Sequence, residues 1–509
     1  MVMTVAAVVL TASLAACGQT TEPSGAGGPH QVLHRGLGGE PATLDPVLAS
    51  DNAALFLLQD LFEGLTAEAP DGRIVPGAAA YWTTSADQRR WTFHLRPNLR
   101  WSDGKPLSAA DFVAGLEAVR APTTEAPYAG LLAPVRSTLA PDPMTVVIEL
   151  AEPAPHLPSL LAMPFASPRR ADTTTAVPVS NGPYQVVSRR PGERVELRRN
   201  PHFHDAAQVA IAGVVYLTLD DLNTELNLYR SGALDVTSEV PNSQIDWLQR
   251  NLPGELRVAP YLSTYGYAIN LARVPDRDAR TALAMAVDRN QITEQVTGAG
   301  ERPAFSWVPP GIPAYAPGRY AWERLPAAER TLQARNRWTA ARKRGVAPAR
   351  LNLCTDASAN HRRTAVALAD QWRQMLGVEV AIVEMEWKAY LVTREAPGEC
   401  DLIRFGWSAD FVDPEAFLAL FTSGHAQNVA GYSNPAYDAL IAQAGIAADA
   451  GQRAALLASA ERILLQDAVV IPIFHRVAKR LVKPGIEGIA ANPLGHLPSR
   501  YLRLSQPKK

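Results

Sequence analysis

Residues 351–410 read LNLCTDASANHRRTAVALADQWRQMLGVEVAIVEMEWKAYLVTREAPGECDLIRFGWSAD. The run 351–355 has the look of a strand, and a helix is expected over about 362–376. Gly377 closes that helix, and a second strand follows at 378–383. A short helix then leads to a third strand at 401–405. Two successive βαβ units require parallel, buried strands. Ligands of open α/β sheets gather outside the carboxyl ends of such strands, and Arg404 to Asp410 is one of those ends. Its residue types suit a zwitterion. Gly406 lets a ligand approach the backbone, and Trp407 offers a flat apolar wall. Asp410 can hold an ammonium, and Arg404 can hold a carboxylate in a bidentate fork. A free peptide carries both charges at its ends. The plainer alternative is a packed tryptophan among solvated charges.

Cys354 ends the first strand and Cys400 immediately precedes the third. Neighbouring strands could bring them together as a disulfide, or a parallel register could leave two buried thiols. Upstream, Asn52 to Leu65 carries apolar residues at helical spacing and ends near Gly64. Trp91 to Leu95 alternates like a strand. Ala109 to Val119 reads as a helix with Ser108 at its N-cap. Pro-rich stretches near 122–134 and 152–178 read as loops. No fixed-period repeat interrupts this alternation, so the expected class is α/β.

The chain has 509 residues, enough for about three domains. Its 47% hydrophobic content permits sizeable cores, and the formal net charge of -1 argues against a nucleic-acid binder. Val5 to Ala16 is apolar but too short to span a bilayer, which fits a signal-peptide core. It ends in Leu14-Ala15-Ala16-Cys17-Gly18, which resembles a bacterial lipobox. Residues 1–17 are therefore expected to be a lipoprotein signal peptide, with Cys17 as the acylated membrane anchor. No Lys or Arg precedes the apolar run, and an ordinary cleaved signal is the alternative. Residues 18–30 read as a flexible tether outside the cytoplasm.

The chain lacks the patterns that usually mark catalysis. It has no Gly-x-x-x-x-Gly-Lys loop, no Gly-x-Ser-x-Gly elbow and no His-Glu-x-x-His pair. His202-Phe203-His204 has no third ligand at useful spacing and reads as a surface loop. No enzyme activity, cofactor or metal is expected.

Trp101-Ser102-Asp103-Gly104-Lys105-Pro106-Leu107-Ser108-Ala109-Ala110-Asp111-Phe112-Val113 resembles the signature of the peptide/nickel/dipeptide class of ABC substrate-binding proteins, solute-binding protein family 5. Leu44-Asp45-Pro46, Leu61 to Leu65, Asn181-Gly182-Pro183-Tyr184 and Tyr229 to Asp235 occur in the same order as in that class. Three further runs are most similar to oligopeptide-binding proteins of the OppA/MppA type. These are Tyr265 to Asn270 with Ala279 to Arg289, Pro303 to Pro310, and Gly406-Trp407-Ser408-Ala409-Asp410-Phe411 before Asp413-Pro414.

The resemblance implies a two-lobed periplasmic-binding-protein-like clamp (type II, cluster C) with an additional small domain. Lobe I would combine 31–72, 178–262 and 478–509, the small domain 73–177, and lobe II 263–477, with hinges near 262 and 477. It implies that Asp410 pairs with a peptide α-ammonium, and that Arg404 and His361 meet the C-terminal carboxylate. Trp387, Arg394 and Trp407 would line side-chain pockets, and Tyr128 and Tyr267 would stand near the peptide backbone. Residues near Gly406, Ser408 and Asn52 would complete backbone hydrogen bonds in strand-like pairing. Implied partners are short peptides, ABC permease and ATPase subunits, and a bacterial membrane through the lipid anchor. The protein is expected as a monomer in the periplasm or at the cell surface. Alternatives within the fold are another solute (murein peptide, haem, nickel chelate, sugar) or a peptide-sensing lipoprotein. A peptidase on the same scaffold is a further alternative.

The sequence departs from these relatives at several positions. Ser50 and Ala268 stand where relatives have glutamates, Thr297 where they have a lysine, and Ser263 and Ser408 where they have a cysteine pair. The lost charges imply a weaker preference for basic side chains and for dipeptides.

Overall fold

The computed structural model describes residues 32–170, 178–447 and 449–505. The signal-peptide, Cys17 and tether readings lie outside these residues.

The βαβ reading from Leu351 onward holds in its essentials. Strand Arg350–Asp356 pairs in parallel with Glu379–Met385 and with Leu402–Ser408. Helix Ala359–Leu376 crosses between the first two and buries Ala365, Leu368 and Trp372 on one face. It ends at Gly377, whose φ of 67° is the left-handed cap that glycine adopts without strain.

Three expectations change. The sheet is mixed: its order is Arg302–Pro303, Val470–Leu481, Leu256–Ile269, Leu402–Ser408, Arg350–Asp356, Glu379–Met385, and the pairings involving 256–269 are antiparallel. Strand Glu379–Met385 is half-exposed rather than buried, because it is the sheet edge. The third strand reaches Ser408, since Ser263 to Ile269 pair with Ser408 to Leu402. Arg404, Gly406, Trp407 and Ser408 are thus strand residues, and only Asp410 lies beyond the end.

Cys354 and Cys400 form a disulfide with their Cα atoms 5.7 Å apart. The strand register sets Cys354 beside Ile403. A turn closed by Cys400 N–H donating to Pro397 O at 2.8 Å brings the second sulfur back over the first strand.

A second sheet has the order Val32–Gly36, Gly213–Leu217, Arg194–Arg199, Tyr184–Arg190. Helix Asn52–Leu61 ends before Gly64, and its N-cap Asp51 accepts from Ala54 N–H at 2.8 Å. A third sheet, Ala79–Thr84, Arg90–Leu95, Thr145–Leu150, Val135–Asp142, carries helix Ala109–Arg120. The capping box between Ser108 and Asp111 starts that helix where the sequence places it.

The two long strands Leu256–Ile269 and Val470–Leu481 run side by side, with a break in register between Pro260 and Thr264. One end joins the six-stranded sheet. The other reaches the second sheet through bridges from Val482 to Val236 and from Val236 to Arg35. His202-Phe203-His204 lies in a turn whose His202 is exposed, though the turn is anchored inward. Phe203 is buried, and His204 Nε2 lies 2.6 Å from Glu63 Oε2. Among the described residues, no helix is long and apolar enough to cross a membrane.

Candidate ligand-binding cleft

On strand Leu402–Ser408 the side chains of 404, 406 and 408 share one face. At its far end a cavity opens. Asn52 and Phe56 of helix Asn52–Leu61 line one side, and Ser408 and Asp410 line another. Met163, Tyr261 and His496 are also part of its wall. No Lys or Arg is among the lining residues.

Of the two carboxylates that line this cavity, Asp410 has the fewer internal partners. Tyr128 Oη donates to its Oδ1 at 3.3 Å. Burial raises the Asp410 carboxyl to about 6, against the opposing effects of the Tyr128 hydrogen bond and of His496. The Tyr128 phenol is itself pushed far up by burial and by Asp410, so it remains a donor. The cavity's other carboxylate, Glu68, is held by His496 Nδ1 at 2.9 Å and by Asn492. A half-buried anion with one neutral donor is built to receive a cation. Its titration sets a pH dependence. Affinity for an amine-bearing ligand is expected to be full above pH 7 and to fall about tenfold per pH unit below 6, as Asp410 protonates. Calorimetry across pH 4.5–8 checks this, and a flat profile would contradict it.

A second cluster forms near the other end of the strand. Arg404 Nε lies 3.0 Å from Asp356 Oδ1. His361 Nδ1 lies 2.8 and 2.9 Å from the two Asp356 oxygens. Burial pushes the Asp356 carboxyl up, but the His361 hydrogen bond and the Arg404 charge outweigh it and hold it well below the usual range. Burial, followed by the Arg404 charge, lowers His361. An ionised carboxylate only accepts, so Nδ1–H of a neutral His361 is the donor. The Arg404 guanidinium sits 5.0 Å from the Tyr390 ring and 5.9 Å from that of Trp387.

The structure therefore gathers Asp410, Ser408, Asn52 and Tyr128 at one place, and Arg404, His361 and Trp387 at another. Gly406 and Trp407 lie between them. A Cβ on Gly406 would meet Thr264 O at 3.5 Å and Arg404 Nη1 at 3.7 Å, ordinary contacts. The protein's own packing thus does not demand this glycine. Trp407 is half-buried and stacks on Phe405 with centroids 6.4 Å apart. Its Nε1 is buried with no partner among the described residues, a donor a ligand carbonyl can use.

Trp387 is 46% exposed and outside the Asp410 cavity, and Arg394 Nη2 donates to Gln427 Oε1 at 2.9 Å. Tyr267 is not at the cavity. Its side chain is fully buried in the core under the second cluster, 3.3 Å from the Tyr265 hydroxyl. The register sets Tyr267 directly opposite Arg404, on the face that also carries Gly406 and Ser408, where neighbouring side chains cover it. Asp356 was not singled out from the sequence. Its only signal there is an acid five residues before His361 at a strand end.

Three of the substituted hydroxyl residues are internally satisfied, and Ser50 is exposed. Ser408 Oγ donates to Ser263 Oγ at 2.9 Å, and Thr297 Oγ1 donates to Thr293 O at 3.2 Å. Ala268 is fully buried.

Two α/β lobes joined by paired long strands, with an additional small domain and a cleft ending in a desolvated acid, define a two-lobed solute-binding clamp. Residues 73–428 match the family described as bacterial extracellular solute-binding proteins, family 5. The chain belongs to that family. It is 35% identical to the periplasmic oligopeptide-binding protein OppA of Salmonella typhimurium, over 97% of this chain and 96% of OppA. It is 33% identical to the periplasmic murein peptide-binding protein MppA of Escherichia coli, over 91% of each chain. The Escherichia coli protein YgiS, named as probably deoxycholate-binding, is 34% identical over 93% of this chain and 93% of YgiS. The structure of Escherichia coli MppA superposes with a TM-score of 0.87, at 32% identity, covering 94% of this chain and 99% of that one. An unliganded open form of MppA, at 32% identity with 93% and 97% covered, reaches only 0.73.

Proposed function

We propose that this protein captures short oligopeptides between its lobes and hands them to an ABC import permease driven by separate ATPase subunits. The observation that carries this reading is Asp410: a desolvated carboxylate with one neutral donor, in a cavity lined without Lys or Arg. A peptide α-ammonium satisfies it. Ser408, Gly406 and Asn52 offer backbone for the ligand's own amides, whose burial without partners would cost roughly 1–3 kcal/mol each. The kinship with OppA and MppA supports the same ligand class. The protein would act as a monomeric carrier rather than a catalyst.

Lobe I is assigned to 31–72, 178–262 and 478–509, the small domain to 73–177, and lobe II to 263–477. The register break between Pro260 and Thr264 supports a hinge near 262. Cys17 would anchor the carrier to the membrane by its acyl chains, outside the cytoplasm.

The kinship with YgiS favours a second reading, in which the same clamp holds a non-peptide solute. Native mass spectrometry of protein purified without denaturation separates the two. Co-purified masses of a few amino acids are expected, and calorimetry should then give Ala-rich tripeptides an affinity at least equal to that of Lys-rich ones. A single non-peptide mass, with no peptide binding in calorimetry, would overturn the peptide reading.

A further inference from the structure

A zwitterionic ligand held at Asp410 needs a cation for its other end. Along the shared face of strand Leu402–Ser408, the cation is Arg404, with His361 beside it. Ser408 lies four positions beyond Arg404, about 14 Å of extended chain, which spans a peptide of a few residues. Both groups already contact Asp356: His361 Nδ1 is hydrogen-bonded to it at 2.8 Å, and Arg404 Nε lies 3.0 Å away as an ion pair without hydrogen-bond geometry. This is a compact neutral set. Asp356 balances Arg404, and neutral His361 donates to the same carboxylate. Its surroundings add little charge: the flanking phenols of Tyr265, Tyr267 and Tyr390 are all raised by burial and stay protonated. Arg476, which also acts on His361, lies 3.7 Å from Glu239. The cluster is also at the lobe boundary, because Asn360, next to His361, accepts from Asn242 N–H at 3.4 Å.

A ligand carboxylate arriving there would meet an ionised Asp356 within the reach of the same two donors. It would have to displace that acid or lie beside it, and like charges in a desolvated site repel. We propose that Asp356 is a built-in stand-in for the ligand's terminal carboxylate, so that the cleft selects peptides by their ammonium end and accepts those whose C-terminus is amidated or otherwise uncharged. The inference rests on the peptide reading above and adds the specificity of its second end.

The test uses the mature chain and alanine peptides of three to five residues, each as free acid, C-terminal amide and N-acetyl form. Calorimetry of the unaltered protein should give acid and amide affinities within threefold of each other, with N-acetylation abolishing binding. In Asp356→Asn the amide side chain keeps an oxygen for His361 but no longer neutralises Arg404. The acid-to-amide affinity ratio should then rise tenfold or more. A tenfold or greater preference of the unaltered protein for the free acid would overturn the inference, and this arm needs no variant. An unchanged ratio in a folded Asp356→Asn protein, checked by its thermal unfolding, would also overturn it. Failure of every peptide form to bind the unaltered protein would instead remove the peptide reading itself, and this inference with it.

Discussion

Replacing Asp410 by alanine is expected to weaken binding of a free-amine tripeptide by about 3–5 kcal/mol, roughly two to nearly four powers of ten in Kd. The size follows from the environment. In the closed cleft the ammonium is taken out of water, and the cavity offers no other uncommitted carboxylate, since Glu68 is held by His496 and Asn492. Removing Asp410 leaves a buried cation facing only the Tyr128 hydroxyl. N-acetylating the peptide should cost the unaltered protein as much, yet cost Asp410→Ala little more, because each change deletes the same pair. Calorimetry on the four combinations measures this. Equal affinity of Asp410→Ala and the unaltered protein for the free-amine peptide would remove the acid from the site.

The second large effect concerns stability. Glu461, on helix Ala450–Gln466, is fully buried. Its Oε1 accepts from the backbone N–H groups of Trp307 at 2.8 Å and Val308 at 2.7 Å. Its Oε2 accepts from Gly318 N–H at 2.6 Å and Tyr315 Oη at 2.7 Å. One carboxylate thus organises an otherwise irregular segment. Trp307 in turn stacks on Phe405 at 5.4 Å, behind the strand that carries Arg404 and Gly406. Glu461→Ala orphans these donors at roughly 1–3 kcal/mol each and should destabilise the fold by about 4 kcal/mol or more. Glu461→Gln, which keeps one acceptor oxygen, should fall between. Urea unfolding followed by tryptophan fluorescence reads both, and a midpoint unmoved in Glu461→Ala would refute the account.

Much of this architecture is legible in the linear chain because it depends on neighbours. The parallel units from Leu351 follow from local periodicity and from the cap at Gly377. The helix after Ser108 follows from its capping box. Asp410 stands out because a short run combines glycine, tryptophan and an acid beyond a strand, and the family signature sharpens it. What stayed hidden depends on partners distant along the chain. Tyr128 reaches Asp410 from 282 residues away, and the antiparallel partner of the site strand lies well upstream at Leu256–Ile269. That pairing carries the strand on to Ser408 and sets Tyr267 beside Arg404.

The sequence by itself determined the α/β class and the family, and it singled out Asp410 as the acid proposed to receive an ammonium, since each is written in short contiguous runs of residues. Only the tertiary structure decided the fate of the second charge. Parallel pairing of Arg350–Asp356 with Leu402–Ser408 brings Asp356 against Arg404, and the start of helix Ala359–Leu376 turns His361 back onto the same carboxylate. Whether a buried arginine is free for a ligand depends on the charges that packing sets beside it, and those lie 48 residues away along the chain.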